Sequence, residues 1–311
     1  MKEEDIMLYD ILIIGAGPAG MTAGIYAKRA NLKVAMMEKY IPGGQIVDTG
    51  EIENYTGSQK MSGYELATNM LNHTKSLDVE LIYDEVLEIK DLGNTKEIIT
   101  PNTTYKTKVV IIASGAVPRR LGVENEDQLA SQGISWCAIC DGPMYKDKDV
   151  IVIGGGNSGV EEAAYLATLA NSVTVIQDLD KLTADKKAQD ILLSKDNVVV
   201  KYSSKVNKFL MTEDFKMKGA EITNANGEVE EVIADGVFEY IGLIPVTSFA
   251  KDLGITNQMG NILVNEKMET AVQGIYSAGD VNHKQIRQVV TATSDGAIAV
   301  QNALKYLETW E

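Results

Sequence analysis

The 311-residue chain has only two cysteines, Cys137 and Cys140, and only two histidines, His73 and His283. So few cysteines exclude a disulfide-stapled secreted fold. The histidines lie far from the cysteine pair in sequence, so a Cys-x-x-Cys zinc site lacks its other two ligands and no metal is expected. No stretch approaches the apolar length that crosses a membrane. The most apolar early stretch, 11–27, is broken by Gly15, Gly17, Pro18 and Gly20, and acids dominate before it, so no targeting segment is expected. Positive charge is scarce: 29 Lys and Arg against 44 Asp and Glu leave a net charge of −15. Nucleic acids and anionic membranes both require a basic surface, so neither is an expected partner. The expected location is the cytoplasm, where a Cys-x-x-Cys tends to be catalytic.

The two cysteines stand in Trp136-Cys137-Ala138-Ile139-Cys140-Asp141. Thiols separated by two residues can close a disulfide with little backbone movement and so carry two electrons. The first cysteine of such a pair is commonly the exposed attacking thiolate. Asp141 is placed to trade protons with a thiolate as the disulfide opens. On the pair alone, two buried structural thiols remain the alternative.

Residues 9–14 form a short run rich in branched apolar side chains, as a buried parallel strand requires. Gly15-Ala16-Gly17-Pro18-Ala19-Gly20 follows, then helical spacing over 21–30 and a second strand over 33–37 that ends at Glu38. Strand, glycines, helix, strand and acid together make a dinucleotide fingerprint. The glycines let a pyrophosphate approach the helix N-terminus, and the acid is placed for a ribose hydroxyl. The pattern recurs at 150–153, Gly154-Gly155-Gly156-Asn157-Ser158-Gly159, a helix over 160–170 and a strand over 173–176. It ends in Gln177 and Asp178, with no arginine in 177–182 to bind a 2′-phosphate. Asp178 would repel that phosphate and accept from a free 2′-hydroxyl, which favours NADH over NADPH. The competing reading is a solvated loop acid.

Between and after these units, Pro42-Gly43-Gly44-Gln45 and 53–57 read as turns, 61–76 as an amphipathic helix, and 79–90 and 105–112 as strands. Residues 113–116 form a small-residue turn, and Pro118-Arg119-Arg120 a linker. Segments 197–202, 204–210, 218–223 and 231–233 read as a meander, and 235–242 as a strand leading back to the first unit. Strands are expected at 262–264 and 274–280, the second ending in Asp280, which is placed to accept from a ligand hydroxyl. A last helix begins near Arg287 and runs to Thr309.

With these motifs in order, the chain resembles the low-molecular-weight thioredoxin reductase family (class II of the pyridine nucleotide-disulfide oxidoreductases) over nearly its whole length. The resemblance implies an α/β fold of two Rossmann-like dinucleotide-binding domains, the second inserted into the first. It places an FAD-binding domain at 1–116 and 245–311, and a pyridine-nucleotide and redox-disulfide domain at 117–244. Its FAD contacts fall on Gly15, Gly17, Ala19, Glu38, Gly44, Gln45, Asn54, Asp280, Arg287, Gln288 and Val289. Its nucleotide contacts fall on Gly154, Gly156, Asn157, Ser158, Gly159, Gln177 and Asp178. Cys140 would face the flavin, Cys137 would exchange with the substrate disulfide, and Asp141 would be the acid and base. The implied partner is thioredoxin or a similar small redox protein, the implied assembly a homodimer, and the implied hinges Pro118 and 242–245.

The chain departs from that family at 177–183, where NADPH-dependent members carry a His-Arg-Arg stretch with a further arginine. There it is more similar to the reductase core of the alkyl hydroperoxide reductase flavoprotein, which uses NADH. The eight residues before the first strand are too few for that protein's extra N-terminal module. Some relatives without the arginines take electrons from ferredoxin or an unknown donor, and those can have a damaged second glycine loop. Here Gly154, Gly156 and Gly159 are intact, which favours a nucleotide. A peroxiredoxin-linked acceptor and a flavin-bearing redox sensor are the remaining alternatives.

Overall fold

Branched apolar residues form β1 (Leu8–Ile14) and β2 (Val34–Glu38), joined by α1 (Pro18–Arg29), in the computed structural model, which describes residues 8–49, 52–130 and 132–310. The ends of the expected first domain, 1–7 and 311, lie outside the described residues. α1 begins earlier than the periodicity from 21 indicates. Pro18 occupies its first turn, where a missing N–H costs nothing and φ is already helical. α2 (Gly63–Ser76) begins at a true cap, with Ser62 Oγ accepting from Glu65 N at 3.1 Å.

The single strand expected over 79–90 is two: β3 (Glu80–Tyr83) and β4 (Glu88–Asp91). The reason is topological. With β5 (Lys96–Ile99) and β6 (Thr104–Ile112), the strand order is β3-β2-β1-β6-β5-β4, so the chain must leave one sheet edge and rejoin at the other. Asp84 holds the break, its Oδ1 accepting from Glu85 N at 2.9 Å and Asn102 Nδ2 at 3.0 Å. β7 (Ala116–Pro118) follows.

The next segment carries α3 (Glu126–Leu129), β8 (Ile134–Ser135), α4 (Ala138–Asp141), β9 (Asp149–Ile153), α5 (Asn157–Leu166), β10 (Ser172–Ile176) and α6 (Lys186–Leu193). It continues with β11 (Val198–Lys201), β12 (Lys205–Met211), β13 (Met217–Thr223), β14 (Val229–Ile233) and β15 (Gly236–Glu239). β11-β10-β9-β15-β8 is a parallel sheet, and β12-β13-β14 a separate antiparallel one. The expected meander is therefore shorter by a strand: β11 pairs parallel with β10, Val173 opposite Val198. α5 also ends before the expected 170, its last turns closing through Ala170 N to Leu166 O at 2.8 Å.

The chain returns through β16 (Leu243–Pro245) to β17 (Ile275–Ser277), which pairs parallel with β6, and to α7 (Val289–Glu308). No strand forms at 262–264. Ile262 makes only isolated bridges, to Thr256 and Asn282. α7 starts after Arg287 because Gln288 is its cap, in a reciprocal box with Thr291.

The chain divides into two compact units: one from the segment ending at Asp48 with Ile52–Val117 and the segment from Ile244, the other built mainly of Pro118–Leu243. Each central strand is buried on both faces, which explains the near-continuous apolar runs. In the first unit Ile11, Ile13, Val109 and Ile111 pack with Ala19, Ala23 and Ala299 of α1 and α7, while Leu12, Ile14, Val110 and Ile112 pack with Phe249 and Ile255. In the second, Val150 and Val152 meet Val160, Ala163 and Leu166 of α5, while Ile151 and Ile153 meet Phe209, Ala220 and Ile222 of the antiparallel sheet.

α1 and α7 approach closely at Gly296, where a Cβ would collide with the Ala19 carbonyl. Gly296→Ala is expected to cost about 1–3 kcal/mol through overpacking, read as a lower denaturant midpoint.

Candidate redox and nucleotide sites

In the first unit β1 enters the glycine loop at Gly15, whose φ of +105° suits glycine. A Cβ on Gly20 would strike the Gly15 carbonyl, so the helix crosses the loop at a distance no side chain allows. Glu38, at the end of β2, turns back onto the loop: its Oε2 accepts from Ala16 N at 3.0 Å and its Oε1 from Tyr40 N at 2.9 Å. The other flavin-contact candidates of this unit converge in two sets. Gly44 lies against Gly17, and Gln45 Nε2 donates to the Ala116 carbonyl. Asn54 Nδ2 donates to Gln288 Oε1 at 3.0 Å, beside Val289 at the start of α7. Arg287 Nε reaches the Asp280 carbonyl at 3.5 Å.

Asp280 is the diagnostic residue. Its Oδ1 is buried without a hydrogen-bond partner. Burial raises its pKa, Asp295 adds to the rise, and Lys284 and Arg287 oppose it. Asp295 braces the turn, accepting from Gly279 N at 3.0 Å and Lys284 Nζ at 2.6 Å. An orphaned acceptor in a braced turn requires a donor from elsewhere, and a flavin ribityl or ribose hydroxyl meets that need. The residues of this unit fit FAD.

The second unit repeats the loop. Gly154 has φ +114°, and a Cβ on Gly159 would strike the Gly154 carbonyl. Gln177 takes the place Glu38 holds in the first unit, accepting from Gly155 N at 3.0 Å through Oε1, while its Nε2 donates to Lys181 O at 3.0 Å. Its amide is thus spent on the protein, at 4% exposure, whereas Asp178 is exposed. Asn157 is tied to α6, its Oδ1 accepting from Asp185 N at 2.7 Å, and Ser158 is exposed on the first turn of α5. Glycine cradle, exposed Asp178 and absent arginines fit a pyridine nucleotide.

The redox pair lies in the same unit. Cys137 and Cys140 form a disulfide, Cα to Cα 5.2 Å. Cys137 caps α4, its Sγ accepting from Cys140 N at 3.2 Å. Ser135 joins the pair to Asp141: its Oγ donates to Asp141 Oδ2 at 2.6 Å and accepts from Cys137 N at 3.1 Å. Tyr240 Oη accepts from Ala138 N at 2.6 Å, and its hydroxyl is pushed up by burial, then by the charges of Glu162 and Asp141. Tyr145 packs edge-on against Phe238 and is raised to about 12 by burial, with Asp141 and Asp235 adding. The motif reading named the cysteines and Asp141 but missed Ser135, Tyr240, the half-buried Glu162 and the buried Glu239. The legible signal was an acid, Glu239, inside the apolar run Val237-Phe238-Glu239-Tyr240-Ile241. Among the described residues no cluster of His, Cys, Asp or Glu could hold a metal, and no helix is long and apolar enough to cross a membrane.

A nucleotide-type glycine loop in each unit and a Cys-x-x-Cys disulfide beside one of them define a nucleotide-dependent disulfide oxidoreductase. Comparison with known proteins agrees. The chain belongs to the pyridine nucleotide-disulphide oxidoreductase family, which it matches over residues 9–296. It is 43% identical to a thioredoxin reductase of Bacillus subtilis over 312 residues, covering 99% of this chain and 97% of that protein. It is 42% identical to a thioredoxin reductase of Listeria monocytogenes over 302 residues, 97% of this chain and 94% of that protein. A crystal structure of thioredoxin reductase from Streptococcus pyogenes superimposes with a TM-score of 0.91 at 44% identity, covering 98% of this chain and all of that one. The protein is an FAD-dependent disulfide reductase that draws on a nicotinamide nucleotide.

Glu162 has a consequence for stability. Its Oε2 is buried without a partner, and burial, then Glu161, raises its carboxyl from 4.5 to about 7. The folded state therefore holds a proton the unfolded chain releases, and stability declines as pH rises from about 4.5 through about 7. Glu162→Gln removes this loss. Its melting temperature relative to wild type is expected to rise between pH 5 and pH 8.

Proposed function

We propose that this reductase passes electrons from NADH to the disulfide of thioredoxin or a similar small redox protein, with Cys137 as the exchanging thiol. The observation that carries the reading is the Cys137–Cys140 disulfide at the N-terminus of α4, on the same unit as an intact second glycine loop. FAD, when bound, relays two electrons from the nicotinamide to this disulfide. The first unit holds the flavin through Gly15, Gly17, Ala19, Glu38, Gly44, Gln45, Asn54, Asp280, Arg287, Gln288 and Val289. The second holds the nucleotide through Gly154, Gly156, Asn157, Ser158, Gly159 and Asp178, with Gln177 shaping the loop from beneath.

Once the pair is a dithiol, Cys137 thiolate attacks one sulfur of the partner disulfide, forming a mixed disulfide and releasing the partner's other sulfur. Cys140 thiolate then attacks Cys137 Sγ. That step re-forms the enzyme disulfide and frees the partner as a dithiol. Asp141 supplies and recovers the proton, held in place by the Ser135 hydroxyl. The backbone N–H of Cys140 directed at Cys137 Sγ stabilises negative charge there.

NADH over NADPH is supported by Asp178, exposed where a 2′-phosphate would need a cation, and by the absence of any arginine between Arg120 and Arg287. A homodimer in the cytoplasm completes the reading: the family resemblance supports the dimer, and a dithiol chemistry suits a reducing compartment.

Anaerobic mixing of the oxidised holoenzyme with each nucleotide should bleach the flavin faster with NADH. Bleaching by NADPH alone would overturn the assignment of Asp178. Cys137→Ser should abolish reduction of a protein disulfide while leaving nucleotide-driven flavin bleaching in place. A serine variant that still turns over would remove Cys137 from the exchanging role.

A further inference from the structure

A second group of buried charge lies beside the redox pair and is used by none of the steps above. β8 and β15 run parallel, with Val237 opposite Ile134 and Phe238 opposite Ser135. One step beyond that ladder, Trp136 Nε1 donates to Glu239 Oε2 at 2.9 Å. The Arg120 guanidinium stacks on the opposite partner of this contact, 4.0 Å from the centre of the Trp136 ring. Trp136 is the residue immediately before the cap of α4, and the cap is Cys137. The residue at that position carries the chain into the helix cap, so holding its side chain holds the cap's approach.

Glu239 is 3% exposed, and so is Glu126. Glu126 has its partners already: its Oε1 accepts from Leu121 N at 2.9 Å, and its Oε2 from Gly122 N at 2.6 Å and Val123 N at 3.3 Å. Two buried neighbouring carboxyls resist ionising together. Burial first, then the charge of Glu126, pushes Glu239 up to about 8, against the opposing pull of the Trp136 N–H and Arg120. Glu239 Oε1 is buried without a hydrogen-bond partner. A neutral acid here costs far less than a second buried anion, and it leaves Oε2 free to accept from the indole.

We infer that Glu239 is a positioning residue for the Cys137 thiol: together with Arg120 it fixes the Trp136 indole, and so the direction in which the cap of the redox helix presents Cys137 to a disulfide substrate. The inference rests on the reading of Cys137 as the exchanging thiol. Glu239 touches neither reacting sulfur and acts only through Trp136. Its ionisation puts a second charge against Glu126 and disturbs the indole.

The test uses the holoenzyme, reduced to the dithiol and treated with iodoacetamide, with each cysteine followed by mass spectrometry. Alkylation of Cys140 ahead of Cys137 would defeat the functional reading itself, whatever Glu239 does. With Cys137 alkylated first, Glu239→Leu should slow that alkylation about tenfold and lower kcat/KM for a protein disulfide to a similar extent, while the rate of flavin bleaching by nucleotide is unchanged. Glu239→Gln, whose amide oxygen still accepts from the indole, should restore both. Trp136→Phe keeps an aromatic ring and removes the indole N–H. It should reproduce the leucine variant, and it decides the matter if the leucine variant fails to retain flavin. In a Trp310→Phe background, the remaining tryptophan should show a fluorescence step near pH 8 that is absent when Glu239→Gln is added. Wild-type alkylation in both Glu239→Leu and Trp136→Phe, or a fluorescence step that survives Glu239→Gln, would overturn the inference.

Discussion

The constraint on which the structure depends is a backbone crossing that no side chain could occupy. In each unit the helix after the first strand starts so close to the loop that its third glycine, Gly20 or Gly159, lies directly against the carbonyl of the first, Gly15 or Gly154. This approach tilts the helix onto the sheet and leaves its first N–H groups facing outward, where a pyrophosphate is the natural acceptor. The strands on either side need no polar residues to achieve it. They are apolar on both faces because helices cover one side and a second layer the other.

Around the disulfide, polar atoms are arranged in a different way. The pair stands at the start of a helix of four residues, too short to hold itself. Its geometry comes from neighbours: Ser135 bridges Cys137 N and Asp141, Tyr240 receives Ala138 N, and Trp136 is held by Glu239 and Arg120. Three of these partners come from β15 and the strand end beside it or from β8. The parallel ladder that builds the sheet therefore also builds the thiol site. Such buried polar networks rigidify a site, and burial favours the protonated form of Glu239, whose Oε2 still accepts from the Trp136 indole.

The glycine loops were legible because they require a residue type at fixed spacing, and so was Cys137-x-x-Cys140. Gln177 shows where that reasoning ran short. Its place in the second unit is that of Glu38 in the first, and both accept from the middle residue of their loop. Spacing located it, but only the structure showed that its amide faces inward while Asp178 is the exposed group. The break at Asp84 and the reassignment of β11 were hidden for a related reason. A continuous run of strand-forming residues carries no mark of which sheet edge it joins.

By itself, the order of residues determined two strand–glycine–helix units, a dithiol pair able to carry two electrons, and the lack of cations for a 2′-phosphate. Each rests on local chemistry: glycine's missing side chain, the reach between two cysteines, the sign of a charge. Tertiary structure alone decided what surrounds Trp136-Cys137-Ala138-Ile139-Cys140-Asp141. Glu239 lies about a hundred residues from Trp136, and Tyr240 as far from Ala138, and they meet only because β15 pairs with β8. Sheet register brings such residues together, and their burial, which no local pattern of residues encodes, sets their charge.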